Sequence, residues 1–153
     1  TDIIGVELGG ALKNVIAIGA GISDGLGYGN NSKAAFITRG LTEITRLGKL
    51  AGADPLTFAG LAGLGDLVAT CYSSLSRNRY VGYQLGQGYK LQDIISSMDN
   101  VAEGIDTTEA TMKLSGRLGI SMPITEAIHS VVFNHMDPKQ AVTQLMERAA
   151  LAE

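Results

Sequence analysis

The stretch Ser32-Lys33-Ala34-Ala35-Phe36-Ile37-Thr38-Arg39-Gly40-Leu41-Thr42-Glu43-Ile44-Thr45-Arg46-Leu47-Gly48-Lys49-Leu50-Ala51 decides the fold class. Ile37, Leu41, Ile44 and Ala51 recur at three- and four-residue intervals with Leu47 beside them, the pattern of a helix with one apolar face. Asn31 or Ser32 can cap its start. Gly52 suits the residue just past its end, and Pro55 soon follows. Upstream, residues 3–22 are apolar and helical in pattern, interrupted by Gly9, Gly10, Gly19 and Gly21. Each interior glycine costs roughly 1 kcal/mol relative to Ala, which close approach by a neighbouring helix or a ligand would offset. Gly25–Asn31 reads as a turn-rich connection. Downstream, the pattern predicts a short helix from Asp66 to about Tyr72, then helices at 78–86, 91–98, 103–118, 123–135 and 138–150. Pro123 suits a first-turn position, and Asp137-Pro138 is a helix start. Period-2 alternation persists nowhere beyond a few positions. The expectation is one all-α domain of seven to nine helices.

Composition bounds the function. The chain has 153 residues, 45% hydrophobic and 18% charged, with net charge −3, which excludes a disordered chain. Gly, Asp and Lys interrupt every apolar run, so no membrane span is expected. A slightly acidic balance without Lys/Arg blocks argues against nucleic acid as a partner. The single cysteine, Cys71, has no internal partner and reads as a buried inert thiol, which fits a reducing cytosol. The chain opens at Thr1-Asp2-Ile3 with no Met and no leader pattern, and its first residues already read as helix. A domain cut from a longer protein is the expectation.

Two tempting motifs fail. Gly19-Ala20-Gly21-Ile22-Ser23-Asp24 begins like a dinucleotide fingerprint, but Asp24 stands where the third glycine belongs and no βαβ unit follows. His129 and His135 are six residues apart, on different helix faces, without further ligands, so no metal site is expected.

Lys13 carries the sharper signal. It lies within Ala11-Leu12-Lys13-Asn14-Val15-Ile16-Ala17, and the positions three and four away are small or apolar. Lys13 is then either a lysine on a solvent stripe or, since such a face should pack or line a cleft, an acid/base candidate. Asp66, after Gly63-Leu64-Gly65, is either a helix N-cap or the anion that holds Lys13. Thr70, four residues on, would share its face. Ser76-Arg77-Asn78 opens a helix after a polar loop, where Arg77 is either a solvated surface residue or a guanidinium fork that, with exposed N–H groups, favours phosphate. Glu103 before Gly104 has a plain helix-dipole explanation.

These segments form an ordered set: Gly5-Val6-Glu7, Ala11–Ala17, Gly25-Leu26-Gly27-Tyr28-Gly29-Asn30, Gly60-Leu61-Ala62-Gly63-Leu64-Gly65-Asp66-Leu67, Thr70-Cys71, Ser76-Arg77-Asn78 and Val101-Ala102-Glu103-Gly104. The set resembles the C-terminal substrate domain of bacterial NAD(P)-dependent glycerol-3-phosphate dehydrogenases, over nearly the whole chain. The resemblance implies an all-α domain of the 6-phosphogluconate dehydrogenase C-terminal-like type. It implies reversible reduction of dihydroxyacetone phosphate to sn-glycerol 3-phosphate with NAD or NADP, in the cytoplasm, for phospholipid synthesis. Residues 1–153 would be the substrate domain, with an N-terminal Rossmann domain as partner and principal binder of the cofactor. Lys13 matches the catalytic lysine. Asn14, Asp66 and Thr70 match neighbouring active-site positions, with Asp66 orienting the ammonium. Ser76, Arg77 and Asn78 match the substrate-binding segment. Arg77, Val101 and Glu103 match positions that touch the dinucleotide. No metal is implied.

On this reading the chain alone has no dehydrogenase activity. Two rivals stand beside it. One is a non-catalytic helical dimerisation or interaction module, which predicts Lys13, Asp66 and Arg77 scattered over the surface. The other is a dehydrogenase of the same superfamily acting on a hydroxy acid. A glycine-rich helical surface could also pair two copies as a homodimer.

Overall fold

A computed structural model describes residues 1–148, and among these it is helical throughout, without strands. Nine α-helices run in the order α1 (Ile3–Gly25), α2 (Asn30–Leu50), α3 (Pro55–Ala59), α4 (Asp66–Tyr72), α5 (Arg77–Gly86), α6 (Leu91–Ser96), α7 (Gly104–Leu118), α8 (Pro123–Phe133) and α9 (Pro138–Arg148). A single π turn, Leu61–Gly65, leads into α4. The expected all-α domain is what forms. The last two positions of the helix expected over 138–150 lie outside the described residues.

α1 is the central element and packs against α2, α4, α5, α7 and α8. From Val15 to Ser23 every one of its residues is buried. Its length and apolarity alone would pass for a membrane span, but here that apolarity is used in packing against the surrounding helices. The core joins Val15, Ile16 and Ile18 of α1 to Ile37, Ile44 and Leu47 of α2, Val81 of α5 and Ile128 of α8. The stripe that predicts α2 is the face that is buried, and Ala51 closes the helix at its C-cap.

The glycines in α1 do what close helix contact requires. Gly21 and Gly25 of α1 meet Gly82 and Gly86 of α5. A Cβ at Gly82 would run into the Ile18 carbonyl and one at Gly21 into the Arg79 carbonyl; one at Gly86 would lie 2.6 Å from the Ile22 oxygen. Four-residue glycine spacing on both helices brings the two backbones together, and this crossing carries the start of α5 to the flank of α1.

Local differences from the sequence reading have physical causes. α1 runs to Gly25, almost a turn past residue 22, because Ser23 and Gly25 are buried against the rest of the fold. α2 begins at Asn30 behind an extended Gly29, so neither Asn31 nor Ser32 is its N-cap and no side chain caps it. Gly52 takes φ +92°, as the end of α2 requires. α3 was not anticipated, although Asp54-Pro55 is the same start signal as Asp137-Pro138. The Asp54 carboxylate accepts from Leu56 N at 2.9 Å. Asp2 fastens α3 to α1: it accepts from Gly5 N, Asp54 N and Thr57 Oγ1 at 2.7–2.9 Å. The Gly5 bond first, then Thr57, holds its carboxyl below the usual range.

Candidate active site

Asp66 does not cap a helix. The π turn passes straight into α4, and Asp66 is itself helical (φ −67°, ψ −37°) behind an uncapped helical Gly65. Its carboxylate is therefore available for another group, and Oδ2 accepts from Lys13 Nζ. Both side chains keep contact with solvent, 23% exposed for Lys13 and 40% for Asp66. Thr70 Oγ1 donates to the Asp66 carbonyl at 2.7 Å and lies 3.4 Å from Asp66 Oδ1, on the same helix face as expected. The glycines of the segment have a mechanical role: a Cβ at Gly63 would collide with the Phe58 backbone in α3. The π turn thus folds back tightly on α3 before α4 departs.

Lys13 faces an open cleft of about 570 Å³ whose wall includes Asn14, Thr70, Ser76, Arg77, Asn78, Val101 and Glu103. The residues singled out in the sequence, spread over ninety positions, thus surround one space, with Asp66 joined to it through Lys13. Dispersal of Lys13, Asp66 and Arg77, the signature of the interaction-module reading, is not what the structure holds.

The wall draws on α1, α4, α5 and the segment that leads into α7, with Thr70 from α4. α1 supplies Lys13 and Asn14. α5 supplies its own start: Ser76 is the N-cap, and its Oγ accepts from Arg79 N at 3.2 Å, leaving Arg77 exposed at the mouth. The segment just before α7 supplies the Val101–Glu103 rim, where Val101 is 70% exposed. Asn78 ties α5 to the start of α7. It is more than nine-tenths buried, and its Oδ1 accepts from Gly104 N at 2.8 Å. A Cβ at Gly104 would lie 2.6 Å from the Asn14 carbonyl oxygen and 2.7 Å from Asn78 Oδ1. No other residue lets α7 begin there.

The sequence reading missed Ala69, Ser73 and Leu75, which also line the cleft. Ser73 and Leu75 lie in a helix-to-helix loop, which carries no periodic signal that aims them at a site, and Ala69 of α4 has no distinctive side chain. It also missed a cluster of Asp24, Lys33 and Arg79 behind the cleft. Cys71 is buried, and desolvation pushes its thiol up to about 12, an inert group as expected. His129 stacks on Phe133 with ring centroids 4.8 Å apart, while His135 sits beyond α8 with φ 55°.

Residues 2–143 match the family described as NAD-dependent glycerol-3-phosphate dehydrogenase C-terminus. The chain belongs to this family. Over all 153 residues it is 60% identical to a glycerol-3-phosphate dehydrogenase [NAD(P)+] of Dehalococcoides mccartyi, covering 43% of that protein. It is 60% identical to the Geobacillus kaustophilus enzyme of the same name over 99% of its length, 44% of that protein. The crystal structure of glycerol-3-phosphate dehydrogenase from Coxiella burnetii superposes with a TM-score of 0.93 at 46% identity, over 96% of this chain and 45% of that one. The chain thus spans less than half the length of the relatives it matches.

Proposed function

We propose that this chain is the substrate-holding and proton-donating half of a glycerol-3-phosphate dehydrogenase, converting dihydroxyacetone phosphate and sn-glycerol 3-phosphate into one another. The observation that carries the reading is the cleft itself: Lys13, held by Asp66, faces the start of α5 with Ser76, Arg77 and Asn78 across one space.

The residues divide the substrate between them. Arg77 offers a two-pronged donor to phosphate, and the N-terminus of α5 adds its dipole. Asn78 has its carbonyl committed to Gly104, so its amide N–H groups are what it can give. Binding the phosphate, which does not react, orients C2 toward Lys13. Charge that develops on the C2 oxygen during reduction is met by the Lys13 ammonium, which then gives up its proton to it. Asp66 keeps the ammonium aimed into the cleft. In the reverse direction Lys13 receives the hydroxyl proton.

The cleft mouth suits one flank of a nicotinamide dinucleotide. Val101 offers an exposed apolar surface, Glu103 an exposed carboxylate able to accept from hydroxyls, and Arg77 a cation for a diphosphate. NAD or NADP supplies the hydride when bound. An N-terminal Rossmann domain, in the part of the relatives this chain does not span, would hold most of the cofactor. Exposed Leu61, Leu64 and Val68, at three- and four-residue spacing beside the cleft, give such a domain an apolar seat. The cytoplasm, and supply of glycerol 3-phosphate to phospholipid synthesis, go with this reading, and the chain alone turns over no substrate.

The test is Lys13→Ala in the full-length polypeptide. The turnover of dihydroxyacetone phosphate should fall by about 10²–10⁴ with an unchanged circular dichroism spectrum. Near-normal turnover would remove Lys13 from the chemistry and the reading with it.

A further inference from the structure

Asp24, toward the C-terminal end of α1, is not among the cleft residues. Its Oδ2 accepts from three donors: Lys33 Nζ at 2.8 Å, Arg79 Nε at 2.8 Å and Arg79 Nη2 at 2.7 Å. The Lys33 side chain is only 4% exposed, and its ammonium lies 4.2 Å from the centre of the Tyr72 ring. A lysine so buried needs a partner, because a desolvated charge without one is strongly unfavourable. Two cations share one carboxylate, and the ring face of Tyr72 accommodates part of the surplus positive charge.

The cluster is notable for what it joins. Tyr72 ends α4, and Arg79 stands in the first turn of α5. Between them lies the loop of residues 73–76, of which Ser73, Leu75 and Ser76 line the cleft, followed at once by Arg77 and Asn78. One foot of the loop is held by Tyr72 over Lys33, the other by Arg79 on Asp24, and both bonds lead to the same carboxylate. Arg77 is exposed and, among the described residues, no side chain bonds it to set its direction. Its aim comes from the backbone beneath it.

We propose that Asp24, Lys33 and Arg79 form a positioning cluster that fixes residues 73–76 and the first turn of α5, so that Arg77 and Asn78 meet the phosphate of the substrate. The inference rests on the function proposed above. The cluster touches neither substrate nor cofactor and acts only through the loop.

Two variants test it in the full-length polypeptide. Asp24→Asn keeps the size and removes the charge; Arg79→Lys keeps the charge and removes the fork. For both, KM for dihydroxyacetone phosphate should rise about tenfold or more, with kcat within about twofold. Kinetics with unphosphorylated dihydroxyacetone should be unchanged. Hydrogen exchange in Asp24→Asn should quicken at the amides of residues 73–78 and stay as before in α7 and α8. Equal losses on both ketones would mark a general loss of structure and overturn the proposal, as would unchanged exchange at residues 73–78. If the unmodified enzyme makes no distinction between the two ketones, the phosphate reading of the cleft fails. Exchange then still decides whether Asp24 holds the loop.

Discussion

Among the described residues, Glu43 is a buried carboxylate with no cation bonded to it. It sits in α2, 2% exposed, and serves as the cap of another helix. Its Oε2 accepts from Ile124 N at 2.8 Å, and its Oε1 from Thr125 N at 2.9 Å and Thr125 Oγ1 at 2.7 Å. Met122, at the N-cap of α8, has no side chain able to do this. Burial pushes the Glu43 carboxyl up from its ordinary value, and the bonds from Thr125 and Ile124 only partly oppose it. A raised value in the folded state means that the folded chain binds its proton more tightly than the unfolded one. This group's contribution to stability is therefore greatest below the unfolded value near 4.5 and falls as pH rises through the raised one. Glu43→Ala should cost about 2–4 kcal/mol at neutral pH, since it strands two backbone N–H groups and opens a cavity. Because that contribution falls as pH rises, the loss should be larger near pH 4 than near pH 8, and the slope that Glu43 supplies should be absent from the variant. Urea unfolding of both proteins between pH 4 and 8 checks this; a loss below about 0.5 kcal/mol would show that α8 needs no such cap.

At the scale of elements, the decisive contact is the crossing of α1 and α5. It rests on Gly21 and Gly25 against Gly82 and Gly86, and it sets the distance between Lys13 on one helix and Arg77 on the other. Gly82→Ala should therefore do more than destabilise. Its Cβ would meet backbone, the Ile18 carbonyl, which cannot rotate aside as a side chain can. A stability loss of about 3 kcal/mol or more, read from urea unfolding, is expected. Unchanged or increased stability, as an exposed helical Gly→Ala change gives, would mean that the helices separate at little cost. Much of this level was legible in advance. The spacing of Ile37, Leu41 and Ile44 gave α2, and the glycines of residues 3–22 pointed to close backbone approach. What stayed hidden was the partner: nothing in a single sequence says that Gly21 meets α5 rather than a ligand. The π turn was equally hidden, because its hydrogen-bond offset depends on how Gly63 packs over Phe58 and has no compositional mark. The choice for Asp66 between cap and ion-pair partner was open for the same reason, and the π turn decided it.

At the scale of the whole molecule, the helices packed around α1 hold a cleft whose wall draws on positions from Lys13 to Glu103. The ordered motifs identified those positions because each combines a chemically distinctive side chain with a glycine or a cap that fixes it. Asp24, Lys33 and Arg79 were not identified, since a buried ion cluster is assembled only by tertiary packing. The account stands on a single arrangement: one phosphorylated three-carbon ketone or alcohol bridging the start of α5 and the ammonium on α1. A crystal structure of the full-length polypeptide with sn-glycerol 3-phosphate tests that most directly. The phosphate should lie on Arg77 and Asn78, with the C2 hydroxyl at roughly 3 Å from Lys13 Nζ. A molecule bound with its phosphate at Lys13 and its C2 hydroxyl remote from it, or bound outside the cleft, would contradict the account.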